Sequence, residues 1–270
     1  MVYKEQMSRV VAEMLRDQWE QNYIANRVRI RTTMPLHLVK DAGKAALCVG
    51  AGPSLRKNIE FIDDGYYDII ACDKICGMLV DHGNMPKYVV ALNAAHTDVQ
   101  KWLEPVNEPE VTLVVPCGVN PEAWDKWSGQ LVFINAVTAT GMENRVYSET
   151  GHYPLMVGSN AGTFAYLMAN YLGYNPIGYC GMDFSYLTRK EVEDQISGSG
   201  EPWNIVEMTG YGGDVRYTTL GWVYMADAFQ EHAKRMAMED INTVFCGEGG
   251  INFSGYTMPM TLKDFNEMVK

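Results

Sequence analysis

Apolar positions recur along this chain in two distinct patterns. From Lys4 to about Ile30, Met7, Val11, Met14, Leu15, Trp19 and Tyr23 return at three- and four-residue steps between charged residues. That spacing places one apolar stripe on one face of a helix and predicts an amphipathic helix packed on the outside of the main domain. Beyond it come short apolar runs bounded by turn residues: AALCVG (45–50), DIIACD (68–73), YVVALN (88–93), VTLVVP (111–116), LVFIN (131–135), PIGYCG (176–181) and NTVFC (242–246). Their length and Val/Ile content predict strands. Their continuity predicts strands covered on both faces, because a strand with one wet face would alternate apolar and polar.

Helical patterns lie between several of these runs: LRKNIEFID (55–63), KICGMLVDHG (74–83), AGTFAYLMANYLG (161–173) and WVYMADAFQEHAKRMAME (222–239). The last aligns Trp222, Met225, Ala226, Phe229, Ala233 and Met236 on one stripe. Strands alternating with helices predict an α/β protein with a mostly parallel, doubly wound sheet and helices on both faces. Leu187 to Thr219 stands apart, being polar and glycine-punctuated. A segment of that length is expected either as a lid-like insertion over a binding site or as an unstructured surface insertion.

Composition narrows the function. The 270 residues carry a formal charge of −11 with 47% hydrophobic content, ordinary for a globular protein but the wrong sign for wrapping nucleic acid or lying on anionic lipid. An anionic ligand would need local cations or a metal. No run approaches the roughly eighteen apolar residues of a membrane span, and the first twenty residues hold charges where a signal peptide would hold an apolar core, so a cytoplasmic protein is expected. Cys48, Cys72, Cys180 and Cys246 fall in or at the end of apolar runs, where a thiol packs rather than pairs. Cys72 and Cys76, in CDKIC, have neither redox nor zinc spacing.

In an open α/β sheet ligands bind beyond the carboxyl ends of the strands, so residues just past each run are the candidates. After the first run stands GAGPSL. It begins like the dinucleotide fingerprint GxGxxG, and Asp73 lies about where the ribose-binding acid would fall, but Leu55 replaces the third glycine. What remains suits a phosphate-facing turn. Gly50 and Gly52 let backbone approach a ligand, Pro53 suits a first helical position, and the Ser54 hydroxyl with the amides after it would face an anion. A plain tight turn explains the same residues. A second helix start comes after Gly158, where Ser159 or Asn160 can cap and free amides would point outward. Asp183 in GMDFSY, with Asp73, could hold Mg²⁺ or a ribose, or act as a base. Lys74, Asn93 and Arg216 are further candidates for the phosphate side. His96 and His152 are the histidines placed for acid–base work, and no arrangement recommends covalent catalysis.

In order, GAGPSL, the strand ending at Asp73, HGNMPKYVVALN, GSNAGTFAYLMANYLGYNPIGYCGMDFSY, GGDVRYTT and NTVFCGEGGINFSG resemble the 6-hydroxymethylpterin diphosphokinase MptE-like family, which includes the central domain of bacterial motility accessory factors. The resemblance runs from about Ala45 to Gly255. It implies a Rossmann-like nucleotide-binding domain, taken as 41–270, which follows the helical segment over 1–40 and carries the lid-like insertion at about 187–219 that the residue pattern predicts. It also implies Mg²⁺-assisted transfer of diphosphate from ATP to a hydroxymethylpterin-like alcohol. Asp73 and Asp183 would then be the catalytic and metal-binding carboxylates. Gly50, Gly52, Pro53, Ser54, Leu55, Lys74, Asn93, Gly158, Ser159 and Asn160 would hold the nucleotide. Tyr186, Thr218, Glu248, Gly249 and Gly250 would line the substrate pocket, with Tyr186, Trp203 or Tyr211 available to stack on a flat ring.

Part of the same pattern is similar to bacterial sialyltransferases that use CMP-sugars, so a CMP-activated sialic- or pseudaminic-type donor is the alternative. Asn93 stands where the family usually carries an aspartate, which favours a third reading, a nucleotide-binding module without catalysis. The partners expected are small molecules, a nucleotide and an acceptor. The long flanks of motility factors are absent, so a stand-alone domain is expected. The sequence leaves its oligomeric state open.

Overall fold

The computed structural model describes residues 2–33, 36, 44–92, 99–138, 140–197, 204–252 and 255–270, with side chains from Leu15 onward. All the predicted strands form. β1 (Ala46–Val49), β2 (Asp68–Cys72), β3 (Tyr88–Val90), β4 (Thr112–Pro116) and β5 (Gln130–Ala136) lie side by side in chain order. A two-residue β6 (Pro154–Leu155) then closes that edge. The chain next crosses back, so that β7 (Ile177–Cys180) pairs with the other side of β1, with β10 (Thr243–Phe245) and β11 (Met258–Pro259) further outward. The order is β11-β10-β7-β1-β2-β3-β4-β5-β6, with every pairing parallel. β1 is therefore where the winding reverses, with Val49 aligned to Ala71 on one side and to Cys180 on the other.

Helices cover both faces, as the continuous apolar runs require. In β7, successive residues point to opposite faces. Tyr179 meets Tyr166 of α6 (Ala161–Leu172) and Phe229 of α8 (Leu220–Met238), with ring centres 5.6 and 5.0 Å away. Gly178, its neighbour, lies directly under Phe265 of α9 (Leu262–Val269). α6 packs across β1, β2 and β3, and the buried core runs through both layers. Shorter helices come after the strands on the other half: α2 (Leu55–Asn58), α3 (Cys76–Asp81), α4 (Val99–Leu103) and α5 (Met142–Thr150).

The N-terminal pattern is a single helix, α1 (Val2–Ile30). Its last turns are held by polar contacts to the loop after β4. Asn22 Nδ2 donates to the Gly118 carbonyl at 3.0 Å, and Asn26 Nδ2 to the carbonyls of Cys117 and Val119 at 3.1 and 2.8 Å. Asn26 Oδ1 in turn accepts from the Trp124 indole at 3.0 Å.

The segment expected as a lid-like or an unstructured insertion is regular structure over its described part. It holds α7 (Arg189–Ile196), opened by a capping box between Thr188 and Glu191, and an antiparallel hairpin of β8 (Ile205–Thr209) and β9 (Val215–Thr219). Arg216, Thr218 and Thr219 are buried while Met208 and Val215 are exposed, so the hairpin lacks the apolar-in, polar-out alternation that marks a strand in the sequence. All six cysteines are buried free thiols, and burial pushes those of Cys48, Cys72, Cys76, Cys117, Cys180 and Cys246 well above the ordinary range. No described helix is long and apolar enough to cross a membrane.

Candidate functional site

A crevice of about 680 Å³ opens over the carboxyl ends of β7, β1, β2 and β3. It lies at the reversal of winding, the place where open α/β sheets bind ligands. One part is framed by Gly50, Gly52, Pro53 and Leu55 after β1 and by Ser159, Asn160 and Gly162 at the start of α6. Asn160 is the cap, its Oδ1 accepting from the Thr163 amide at 2.9 Å. That leaves the amides of Ala161 and Gly162 among the helix-end donors without an intrahelical partner. Asp73 and Lys74 after β2, with Tyr186 beyond β7, also line the crevice. Gly158 stands just behind, with positive φ, against Thr163.

The GAGPS turn is held to the end of β7 more tightly than a tight turn alone requires. Gly50 N donates to Cys180 O at 2.9 Å and Gly52 N to Gly181 O at 2.6 Å. A Cβ on Gly52 would stand 2.7 Å from both the Gly181 carbonyl oxygen and the Asp183 carboxyl carbon, so only glycine fits. Asp183 completes the closure. Its Oδ2 accepts from the Ser54 amide at 2.6 Å and its Oδ1 from the Ser54 hydroxyl at 2.5 Å. Asp183 is 1% exposed and Ser54 4%. Burial raises the Asp183 carboxyl above the ordinary carboxylate value, against the two Ser54 hydrogen bonds and the charges of Arg216 and Lys57.

These contacts correct the expected role of Ser54: its hydroxyl and amide both face Asp183 rather than an anion in the crevice. Each Asp183 oxygen accepts one hydrogen bond from Ser54, so a metal would meet only its remaining lone pairs. Among the described residues no three His, Cys, Asp or Glu side chains cluster to hold a metal; Mg²⁺ takes most of its ligands from phosphate and water, so one or two carboxylates on the crevice wall would suffice for it. Asp73, whose Oδ1 accepts from the Lys74 amide at 2.9 Å, lines the crevice together with Asp183.

Other expected residues support the site from behind. Gly250, with φ of 81°, packs against Asp183, whose carbonyl accepts from Ile251 N at 2.9 Å, and Gly249 lies against Ser54 and Arg216. Neither glycine lines the crevice, nor does Glu248, which is exposed with φ of 48°. Thr218 is buried and donates to the Phe184 carbonyl at 2.5 Å, fixing the chain beyond β7 to the hairpin. Arg216 is 5% exposed and pairs with Asp214 at 2.7 Å, so it acts on the site through Asp183 rather than from the crevice wall. His152 is buried beside Thr150. Tyr211 stacks edge-on to Phe245, away from the crevice. Asn93, His96 and Trp203 lie outside the described residues.

Several lining residues carried no signal of a site in the sequence. Trp19 and Leu15 arrive from α1, Trp102 from α4, and Glu191 and Gln195 from α7. Trp222 and Met225, read as part of a packing stripe, reach the crevice one turn before the buried Ala226 and Phe229, and Trp222 pairs with Tyr186 at 5.5 Å. A helical stripe does not reveal which of its turns overhangs a sheet end.

This fold and crevice define a Rossmann-like α/β protein with its candidate site at the reversal of strand order. The profile of the 6-hydroxymethylpterin diphosphokinase MptE-like family matches residues 21–189, and the chain belongs to that family. Membership supports a transferase. Among solved structures, the chain is similar to a MAf glycosyltransferase from Magnetospirillum magneticum AMB-1, with a TM-score of 0.72 and 20% identity over 92% of this chain. It spans 39% of the length of that protein. No curated protein sequence matches the chain significantly.

Proposed function

We propose that the chain is a nucleotide-dependent transferase whose donor binds in the switch-point half of the crevice, and that the group transferred is diphosphate from ATP to a hydroxymethylpterin-like alcohol. The observation that carries this is the convergence of the GAGP turn and the start of α6 on one crevice with Asp73 and Lys74 on its wall. Helix-end amides and Lys74 supply the positive field that a strongly acidic chain otherwise lacks. The acceptor oxygen attacks the β-phosphorus of ATP in line. The bond from that phosphorus to the oxygen bridging it to the α-phosphorus breaks, AMP leaves, and the hydroxyl proton passes to Asp73. Such a reaction asks the protein chiefly for positioning and charge neutralisation. Asp183 acts by holding the turn in shape, and any Mg²⁺ would arrive on the nucleotide.

The glycosyltransferase name of the structural neighbour favours one second reading, a CMP-sugar donor in the same half-crevice. Titration calorimetry with ATP and Mg²⁺ against CMP separates the two: the proposal expects ATP to bind and CMP to bind weakly or not at all. AMP formation from ATP and 6-hydroxymethyl-7,8-dihydropterin then tests the chemistry. Asp73→Asn should keep ATP affinity within about threefold and cut turnover at least about a hundredfold, the scale of a lost general base. Tight CMP binding without metal would overturn the diphosphokinase reading. Nucleotide binding with no transfer to any acceptor would leave a binding module.

A further inference from the structure

The strand ends that floor the crevice, β7, β1, β2 and β3, are neighbours, so at about 4.8 Å per strand the floor is about 14 Å wide. The GAGP turn and the start of α6 belong to the β7–β1 part. The β2–β3 part is walled differently, by Trp102 of α4 and Trp19 of α1, both half-buried, with Met78 and Leu92 between the strand ends and the rim. Lys74 Nζ lies 5.2 Å from the centre of the Trp102 ring, at the seam between the two parts. Two indoles on one wall, one of them beside an ammonium, can offer their faces to a flat ring and charge to an oxygen-bearing edge. Roughly 300–1,000 Å³ is usual for a small-molecule site, so 680 Å³ has room for a nucleotide's phosphates and a second small ring.

We propose that Trp19 and Trp102 form the acceptor subsite, gripping a planar heteroaromatic ring, with Lys74 at the seam facing the group in transit. This rests on the donor occupying the switch-point half. It makes α1 part of the site: the Asn22 and Asn26 contacts to residues 117–119 set where Trp19 stands, and a methyl on Gly118 would already crowd Trp19 at 3.2 Å.

The test titrates 6-hydroxymethylpterin and ATP with Mg²⁺ separately into the wild type, Trp19→Ala, Trp102→Ala and Trp102→Phe. The alanine variants should lose pterin affinity by about tenfold or more, the scale of one stacking contact. Trp102→Phe should retain most of it, and ATP affinity should stay within about twofold throughout, which also shows that the variants are folded. Unchanged pterin affinity in both alanine variants, an equal loss of ATP affinity, or a wild type that binds ATP and no pterin would each overturn the subsite. Should the wild type bind pterin with the expected variant pattern but no nucleotide, the subsite stands and the donor reading falls.

Discussion

At Asp183 the cost of burying a carboxylate is set against two donors from one residue, Ser54, and the burial wins, leaving its pKa raised. Between pH 3.8, the ordinary value for this group, and its raised value in the fold, the folded chain holds a proton that the unfolded chain has released. Its contribution to stability therefore declines as the pH rises through the raised pKa and stays at its lower value beyond. Asp183→Asn cannot ionise, so its melting temperature relative to wild type should rise as the pH increases above about 3.8 and then level off. A pH-independent difference in thermal melts would contradict this. Ser54→Ala removes a buried hydroxyl that donates to a carboxylate and should cost about 1.5–3 kcal/mol in urea unfolding at neutral pH, with a smaller effect on nucleotide affinity. From the sequence alone the opposite order is expected. GAGPSL shows that backbone is approached closely there, but not that the approaching group is Gly181 and Asp183 from more than a hundred residues away.

Among the elements, what the sequence displays depends on burial. The strands of the parallel sheet are apolar on both faces, so β1 to β5, β7 and β10 are legible as runs, and α6 and α8 are legible from their length and stripe. The two-residue edge strands β6 and β11 are too short for any period. α5 and α7 are short and largely polar outside one or two anchors such as Val146 and Val192, and α9 has an apolar stripe but only eight residues to show it. β8 and β9 bury Arg216, Thr218 and Thr219, expose Met208 and Val215, and lack a run. α1 is legible as a helix, yet its attachment is not, because it is made by side-chain amides to backbone carbonyls. Asn26 is fully buried and serves two carbonyls and one indole. Asn26→Ala should therefore destabilise by about 1–3 kcal/mol, the cost of orphaned buried polar groups, read from chemical denaturation. A change within experimental error would mean that the loop after β4 recruits water in its place.

For the whole molecule, the topology does most to locate function. Reversing the winding at β1 leaves a gap between the connections that leave β1 and β7, and residues far apart in sequence line it: Trp19, Gly52, Asp73, Trp102, Asn160 and Tyr186. Candidates at strand ends are legible because position in the sheet can be inferred from order. Trp19 and Trp102 are not, because their place depends on how helices lie across the sheet. The central claim is that a nucleotide binds in the β1–β7 half of this crevice. A crystal structure with a non-hydrolysable ATP analogue and Mg²⁺ tests it most directly. Phosphate density is expected between the Gly50–Pro53 turn and the amides of Ala161 and Gly162, with Trp19 and Trp102 left to the acceptor. Density for the nucleotide on the Trp19–Trp102 side, or outside the crevice, would contradict it.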